Sequence, residues 1–192
     1  SGSPRAPAEP GNRPRRRRPP RRGRTPPTPS RRSIIATPDF VLSLRERIGN
    51  ELLWMPGVTA VVLNPARTHL LVVRRADDGR WTPVTGIVDP GEEPARAAER
   101  EVAEEAGIAC TALRLLDMRA LPEITYPNGD RAQYLDICFL CEADDSQRPF
   151  PADGENTEAL WCPVEDLPPM NDRFREQLAL ALEDRAEARF RR

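Results

Sequence analysis

Three glutamates, Glu101, Glu104 and Glu105, lie within one turn of a predicted helix. Residues three and four apart share a helix face, so the three carboxylates span an arc of roughly 100°. Like charges this close repel one another and weaken an isolated helix. A hard divalent cation turns that repulsion into a binding site, since Mg²⁺ prefers oxygen ligands and often uses carboxylates together with substrate phosphates. The spacing therefore predicts a Mg²⁺ site, with Mn²⁺ as an alternative ion.

The helix that carries these acids has recognisable start and stop signals. Pro94 suits the first helical turn, and Gly107 is placed to end the helix. A turn is predicted at residues 89–91, just before the helix. An apolar stripe beside the acids is expected to dock on a sheet; it consists of Ala95, Ala98, Val102 and Ala106.

Residues 86–108, GIVDPGEEPARAAEREVAEEAGI, resemble the signature of the Nudix hydrolases. The signature specifies residue types at fixed spacing, and all of them are present: Gly86, Glu92, Arg100, Glu101, Val102, Glu104, Glu105, Gly107 and Ile108. The resemblance implies an α/β fold, a Nudix-type α/β/α sandwich with a mixed β-sheet, over residues 34–192. It also implies hydrolysis of a diphosphate bond in a nucleoside diphosphate derivative, of the ADP-ribose, dinucleotide polyphosphate or nucleoside triphosphate class.

The same resemblance implies the roles of residues in the metal site. Glu101, Glu104 and Glu105 are the expected metal ligands, and the backbone carbonyl of Thr85 is expected to join them. Glu101 is expected to contact the water that attacks the substrate. Arg100 is expected to orient a glutamate through a charge-assisted hydrogen bond.

Structural roles and the general base are also expected from the resemblance. Gly86 lets the backbone approach closely, Glu92 steadies the loop or pairs with an arginine, and Gly107 ends the helix. The loop DGENTEALW offers Glu155 and Glu158 as general bases. Glu155 is the first choice because it precedes the predicted strand, and either residue could equally be a solvated loop acid.

Substrate recognition is less specified by the sequence. Tyr126 and Trp81 are candidates for stacking on a base, and Arg75 is a candidate for binding phosphate. The alternatives are that Trp81 packs beside the sheet and that Arg75 is simply exposed near a strand end. Many relatives carry Pro-Gly-Gly where this chain has residues 84–86, Val-Thr-Gly. That departure alters the expected floor of the cleft.

The charge of this 192-residue chain is unevenly distributed. Residues 1–33 contain eleven arginines and one acid, whereas residues 34–192 contain eighteen arginines and twenty-nine acids. Because residues 1–33 are rich in proline and arginine and poor in aliphatic side chains, they are predicted to be a disordered tail. The tail is open to three interpretations: a contact surface for nucleic acid or another polyanion, a cloning remnant, or translation from upstream of the natural start.

Several other functions and partners follow as alternatives. A Nudix fold could be a non-catalytic nucleotide sensor, and the basic tail could assist an RNA-end pyrophosphatase. The expected partner is a small-molecule nucleotide, and a homodimer is typical of the family.

No apolar run is long enough to span a membrane. The CxxC formed by Cys138 and Cys141 lies in a strand-like run, which places the two thiols on opposite faces and disfavours zinc. Reduced thiols predict a cytoplasmic protein.

Periodicity predicts the elements that must position the site. Helices are predicted near residues 39–49 and 173–188, with a helical turn over 164–167. Strands are predicted from the apolar runs and turn signals between them; they cover VTAVVL, HLLVVRR and residues 111–118, 120–126, 132–141 and 159–162. The segment before the acidic helix, WTPVTGIV, is open to strand or loop.

Overall fold

The described residues of the computed structural model, 37–192 and Gly2, contain three helices and eight strands. The predicted disordered tail, residues 1–33, otherwise lies outside the described part. The helices are α1 (Asp39–Ile48), α2 (Pro94–Ala106) and α3 (Asp172–Leu182). The strands are β1 (Leu53–Leu63), β2 (His69–Arg75), β3 (Trp81–Thr82), β4 (Val84–Ile87), β5 (Thr111–Ala120), β6 (Ile124–Thr125), β7 (Arg131–Glu142) and β8 (Asn156–Pro163).

The strands form one mixed sheet. Its main path runs β3-β2-β1-β7-β5, with β4 paired to β1, β6 to β7 and β8 to β2. β1 and β7 are parallel along their whole shared length, from Leu53 opposite Ala132 to Leu63 opposite Glu142. The other strand pairs are antiparallel. Parallel strands need a long crossover connection, and here it contains α2.

Alternation along the strands gives the sheet two apolar faces. Val58, Ala60 and Val62 of β1 belong to one core cluster, and Val61 and Leu63 belong to another. Helix α2 packs on the first face through Ala97, Ala98, Val102 and Ala106, and α3 packs on the second through Leu178 and Ala181. This confirms the predicted α/β/α sandwich, although Ala97 occupies the place in the stripe that was expected for Ala95.

The positions of the cysteines agree with the sequence pattern. Cys138 is buried in the cluster beneath α3 and Cys141 in the cluster beneath α2, so the CxxC thiols lie on opposite faces as predicted. All four cysteines are unbridged. No helix among residues 37–192 combines the length and the apolar composition needed to cross a membrane.

Two segments are less regular in the structure than a continuous strand. The strand expected over 120–126 is interrupted in its central part. Ala120 ends β5, and Ile124 and Thr125 form β6. Pro122 lacks a backbone N–H, so it cannot donate to the sheet ladder. WTPVTGIV is likewise interrupted by a proline, Pro83, which separates β3 from β4.

The C-terminal helical pattern is also cut short, because α3 ends at Leu182 and not at 188. Arg114 donates hydrogen bonds to the carbonyls of Leu180 and Glu183, which satisfies groups at the helix end. The chain then meets the edge strand β5, where the N–H of Arg189 donates to the carbonyl of Leu116 at 2.8 Å. The turn predicted over 164–167 is present, with the N–H of Asp166 donating to the carbonyl of Pro163 at 3.0 Å.

Candidate active site

The acidic helix lies directly against strand β4. Glu101 accepts a hydrogen bond at Oε1 from the backbone N–H of Ile87 at 3.2 Å. This approach depends on Gly86, because a Cβ built there would overlap the Glu101 side chain. The glycine therefore provides the space that a buried carboxylate needs beside a strand. Gly86 thus allows the close backbone approach that was predicted for it.

Arg100 connects the helix to the loop before it. Its Nε and Nη2 donate to the two carboxylate oxygens of Glu92, both at 2.9 Å, in a bidentate pair. Nη2 also donates to the carbonyl of Ile87 at 3.0 Å. Nη1 donates to Glu101 Oε1 at 2.9 Å and to Glu104 Oε2 at 3.0 Å. One guanidinium group therefore orients three carboxylates.

The Arg100–Glu92 pair stabilises the ionised form of the loop acid. The hydrogen bonds that Arg100 donates to Glu92 lower the pKa of Glu92 and raise the pKa of Arg100. Glu92 Oε2 also accepts from the N–H of Asp89 at 3.1 Å, which closes the turn before the helix. Glu92 therefore both steadies the loop and pairs with an arginine, the two roles that were expected as alternatives.

Of the three glutamates on α2, Glu105 is buried and Glu101 is partly buried. Burial raises the pKa of Glu101 to about 7, against the opposing charge of Arg100. Glu105 is 5% exposed, and burial raises its pKa to about 8. Negative charge on Glu101 and Glu155 adds to that rise, and the side-chain hydrogen bond from Asn156 opposes it. Glu104, with 54% of its side chain exposed, faces solvent beside them.

The chemistry of this set of oxygen donors fits a hard divalent cation. Within residues 37–192 the side chains do not already converge as a group of three metal ligands, and Arg100 occupies one oxygen of Glu101 and one of Glu104. The second oxygen of each is without a hydrogen bond from the described chain. Buried carboxylates that raise one another's pKa are stabilised by added positive charge. The ligand roles of the glutamates and of the Thr85 carbonyl stay predictions.

Of the two candidate bases, the structure brings only Glu155 to the acidic helix. The charge of Glu155 contributes to the raised pKa of Glu105, and its backbone carbonyl accepts from the N–H of Ala76 at 2.9 Å. Glu158 is two residues from Leu160 and therefore shares the α3 side of β8 with it, and it forms an ion pair with Arg74 at 2.8 Å. The preference for Glu155 therefore has structural support, while its role as base stays a prediction.

The candidate substrate-binding residues are distributed over different parts of the fold. Trp81 packs against the cluster beneath α3, so its surroundings match the packing alternative. The hydroxyl of Tyr126 is 2.9 Å from that of Tyr134, in a third cluster beside α1. Arg75 is close enough for the negative charge of Glu105 to contribute to its raised pKa, though its main partner is Asp77 at 2.7 and 2.9 Å. Of these three residues, Arg75 is the one that interacts electrostatically with a glutamate of α2.

The loop that leads to the candidate base Glu155 closes over the end of α2. The N–H groups of Phe150 and Ala152 donate to the carbonyls of Ala106 and Glu105 at 3.0 and 3.2 Å. The Phe150 ring occupies the space where a side chain on Gly107 would lie, and Gly107 has the left-handed φ of +65° of a helix C-cap. Gly107 thus ends the helix, as predicted, and also makes room for this loop.

The loop delivers Asn156, whose Nδ2 donates to Glu105 Oε2 at 2.8 Å. Nothing in the local sequence distinguishes this asparagine from an ordinary turn residue in DGEN. The one available signal was its position beside the candidate base Glu155, at the start of a predicted strand.

We predict that Arg100→Lys destabilises the protein, because an ammonium group cannot reproduce the fork of hydrogen bonds to Glu92 and Glu104. The free energy of unfolding is expected to fall by about 1.5–3 kcal/mol, the range for hydrogen bonds to charged groups. Urea denaturation measures this. The matched control is Arg96→Lys on the same helix, where the arginine side chain is 77% exposed and pairs with Glu99 alone. Equal stability changes in the two variants would contradict the central role of Arg100.

A mixed sheet between two helix layers, with an acidic helix against a glycine of β4, defines the Nudix-fold class of protein. The NUDIX domain family model matches residues 53–182. The chain therefore belongs to the Nudix family, which confirms the resemblance carried by residues 86–108.

Two curated relatives and one solved structure illustrate the similarity. Nudix hydrolase 6 of Arabidopsis thaliana is 35% identical over 120 residues, covering 57% of this chain and 39% of the relative. The 8-oxo-dGDP phosphatase NUDT18 of Mus musculus is 31% identical over 115 residues, covering 58% and 33%. The chain thus spans well under half the length of these relatives. The MutT NUDIX hydrolase structure from Burkholderia pseudomallei is 27% identical with a TM-score of 0.53, covering 67% of this chain and 98% of that one.

Proposed function

We propose that this protein is a Mg²⁺-dependent pyrophosphohydrolase that cleaves a diphosphate bond in a nucleoside diphosphate derivative. The observation that carries the proposal is the carboxylate group on α2, which Arg100 and the backbone of β4 orient. One relative is named as a phosphatase of 8-oxo-dGDP, which is a nucleoside diphosphate. That name supports the proposed substrate class. ADP-ribose, dinucleotide polyphosphates and nucleoside triphosphates share the same phosphoanhydride linkage.

The charge of the domain supports a requirement for a cation. Residues 34–192 contain eleven more acids than arginines, so bare carboxylates would repel a polyphosphate. Glu101, Glu104, Glu105 and the Thr85 carbonyl would hold Mg²⁺ or Mn²⁺. When bound, such an ion supplies positive charge that screens phosphate oxygens and makes water more acidic.

Four residues of the chain would have roles in the reaction beside the metal. Arg100 orients the carboxylates of Glu101 and Glu104, so that they need little reorganisation when substrate binds. Glu101 would contact the attacking water, and Glu155 would accept its proton as the new oxygen–phosphorus bond forms. The bond from that phosphorus to the bridging oxygen of the diphosphate breaks, and the leaving phosphate group keeps the electron pair. Arg75 would contribute positive charge near the phosphates, in competition with its partner Asp77.

The test is a panel of ADP-ribose, dinucleotide polyphosphates, nucleoside triphosphates and capped RNA, assayed with Mg²⁺, with Mn²⁺ and with EDTA. We expect release of phosphate-containing products with either metal and none with EDTA. Nucleotide binding without turnover of any substrate would contradict the proposal and favour the nucleotide sensor. Turnover of capped RNA alone, lost on removal of residues 1–33, would favour the RNA-end pyrophosphatase. A cytoplasmic location and a homodimer remain parts of the proposal.

Replacement of the proposed base gives a further expected result. Glu155→Gln is expected to lower kcat by about 10²-fold, the scale of general base catalysis, because the amide cannot accept the proton. The matched control is Glu158→Gln, which makes the same change three residues away at an acid that pairs with Arg74. Steady-state kinetics across pH checks both variants, and a pH–rate profile unchanged by Glu155→Gln would remove Glu155 as the base.

A further inference from the structure

The buried carboxylate of Glu105 is held from outside its own helix. Asn156 is 6% exposed, and its Nδ2 lies 2.8 Å from Glu105 Oε2. Among the described residues, it is the one side chain that donates a hydrogen bond to Glu105. Burying a charged group is costly unless donors replace the lost water, so this contact has a large influence on the carboxylate.

An irregularity between two strands places Asn156 at this point. Along β2 and β8, Arg74 pairs with Glu158, but the next residue, Arg75, pairs with Asn156. The register therefore shifts at this step, as in a β-bulge, which can redirect side chains next to active sites. The preceding turn at Gly154 has φ +85°, a left-handed conformation that suits glycine. The bulge and the turn together bring a neutral donor to the acidic helix.

The charges around Glu105 make a neutral donor suitable. Glu101, Glu155 and Asp153 all act on Glu105 as negative charges. An arginine in place of Asn156 would neutralise the carboxylate and compete with a cation, as an ion pair does. An amide N–H fixes one oxygen and leaves the charge of the group for a ligand. The second oxygen, Oε1, has no hydrogen bond from residues 37–192.

We propose that Asn156 is a positioning residue that fixes the Glu105 carboxylate so that its other oxygen can bind a divalent cation. This inference rests on the proposed function, because it assigns Asn156 to the same metal site. Hydrogen-bond partners of metal ligands set the orientation of the ligand, and their loss typically weakens metal binding by about 10–100-fold.

The test measures Mn²⁺ binding to the full chain by isothermal titration calorimetry, without substrate. Asn156→Ala is expected to raise the Kd for Mn²⁺ by about 10–100-fold. The matched control is Thr157→Ala, which changes the next residue, an exposed threonine that bonds the carbonyl of Arg74 and not Glu105. Its Kd is expected to equal that of the wild type. In turnover assays, the Asn156→Ala variant should need more metal for half-maximal rate and approach the wild-type rate at saturating metal.

A double variant separates positioning from general packing. If Asn156 acts through Glu105, adding Asn156→Ala to Glu105→Gln causes no further loss of Mn²⁺ affinity. Should Asn156→Ala unfold, Asn156→Leu, which has a similar size and lacks a donor, is measured in the same way. A wild-type Kd in the folded Asn156 variant, or additive losses in the double variant, would overturn the inference alone. Absence of Mn²⁺ binding to the wild-type chain would instead contradict the proposed function on which the inference rests.

Discussion

Glu104→Gln is expected to lower kcat by roughly 10²–10³-fold while the fold is retained. More than half of the Glu104 side chain is exposed, and its one hydrogen bond is to Arg100 Nη1, which an amide oxygen can still accept. The substitution therefore removes a negative charge with little change in packing. Steady-state kinetics over a range of Mg²⁺ concentrations measures the effect, and circular dichroism with urea denaturation checks the fold.

The matched control is Glu93→Gln, which makes the same change at the exposed N-cap of the same helix. The Glu93 side chain forms no capping hydrogen bond, so its loss should leave kcat unchanged. Full Mg²⁺-dependent activity of the Glu104→Gln variant would refute the assignment of a metal site to α2. Equal losses in both variants would show that kcat responds to the charge of the helix as a whole.

Gly86→Ala should reduce kcat by roughly 10²–10³-fold, for a steric reason. The new methyl group would overlap the carboxylate of Glu101, which must then move away from β4 and lose its hydrogen bond with the Ile87 N–H. Displacement of a reacting group by about 1 Å is enough for losses on the order of 10²-fold. Because a flexible side chain can move without the backbone, the free energy of unfolding should change much less than kcat does.

Thr85→Ala, at the preceding residue, is the matched control for Gly86→Ala. It shortens a side chain but retains the backbone carbonyl, which is the group assigned to the metal, so activity should stay within a few-fold of wild type. A fully active Gly86→Ala protein would contradict the placement of Glu101 at the reaction centre. A large loss of kcat in Thr85→Ala would show that the threonine side chain has a role, whereas only its backbone carbonyl is proposed to bind the metal.

Much of the fold was predictable because local patterns determine local structure. Pro94 and Gly107 bound α2 as expected, and the alternation of apolar residues in β1 matches its two buried faces. The prediction failed where a single residue or a distant contact decided the outcome. Pro122 interrupts the strand expected over 120–126. The helix expected to reach 188 ends at Leu182, and the chain after it makes a backbone hydrogen bond to β5.

In the candidate site, too, local features were predictable from the sequence and long-range contacts were not. The spacing of Glu101, Glu104 and Glu105 determined by itself that three carboxylates share one helix face, since helix geometry is local. Only the tertiary structure decided that Glu105 is buried and bonded to Asn156, fifty-one residues away along the chain. That contact depends on strand register and on the loop over the end of α2. Long-range packing sets both, and the residue types within one segment do not encode it.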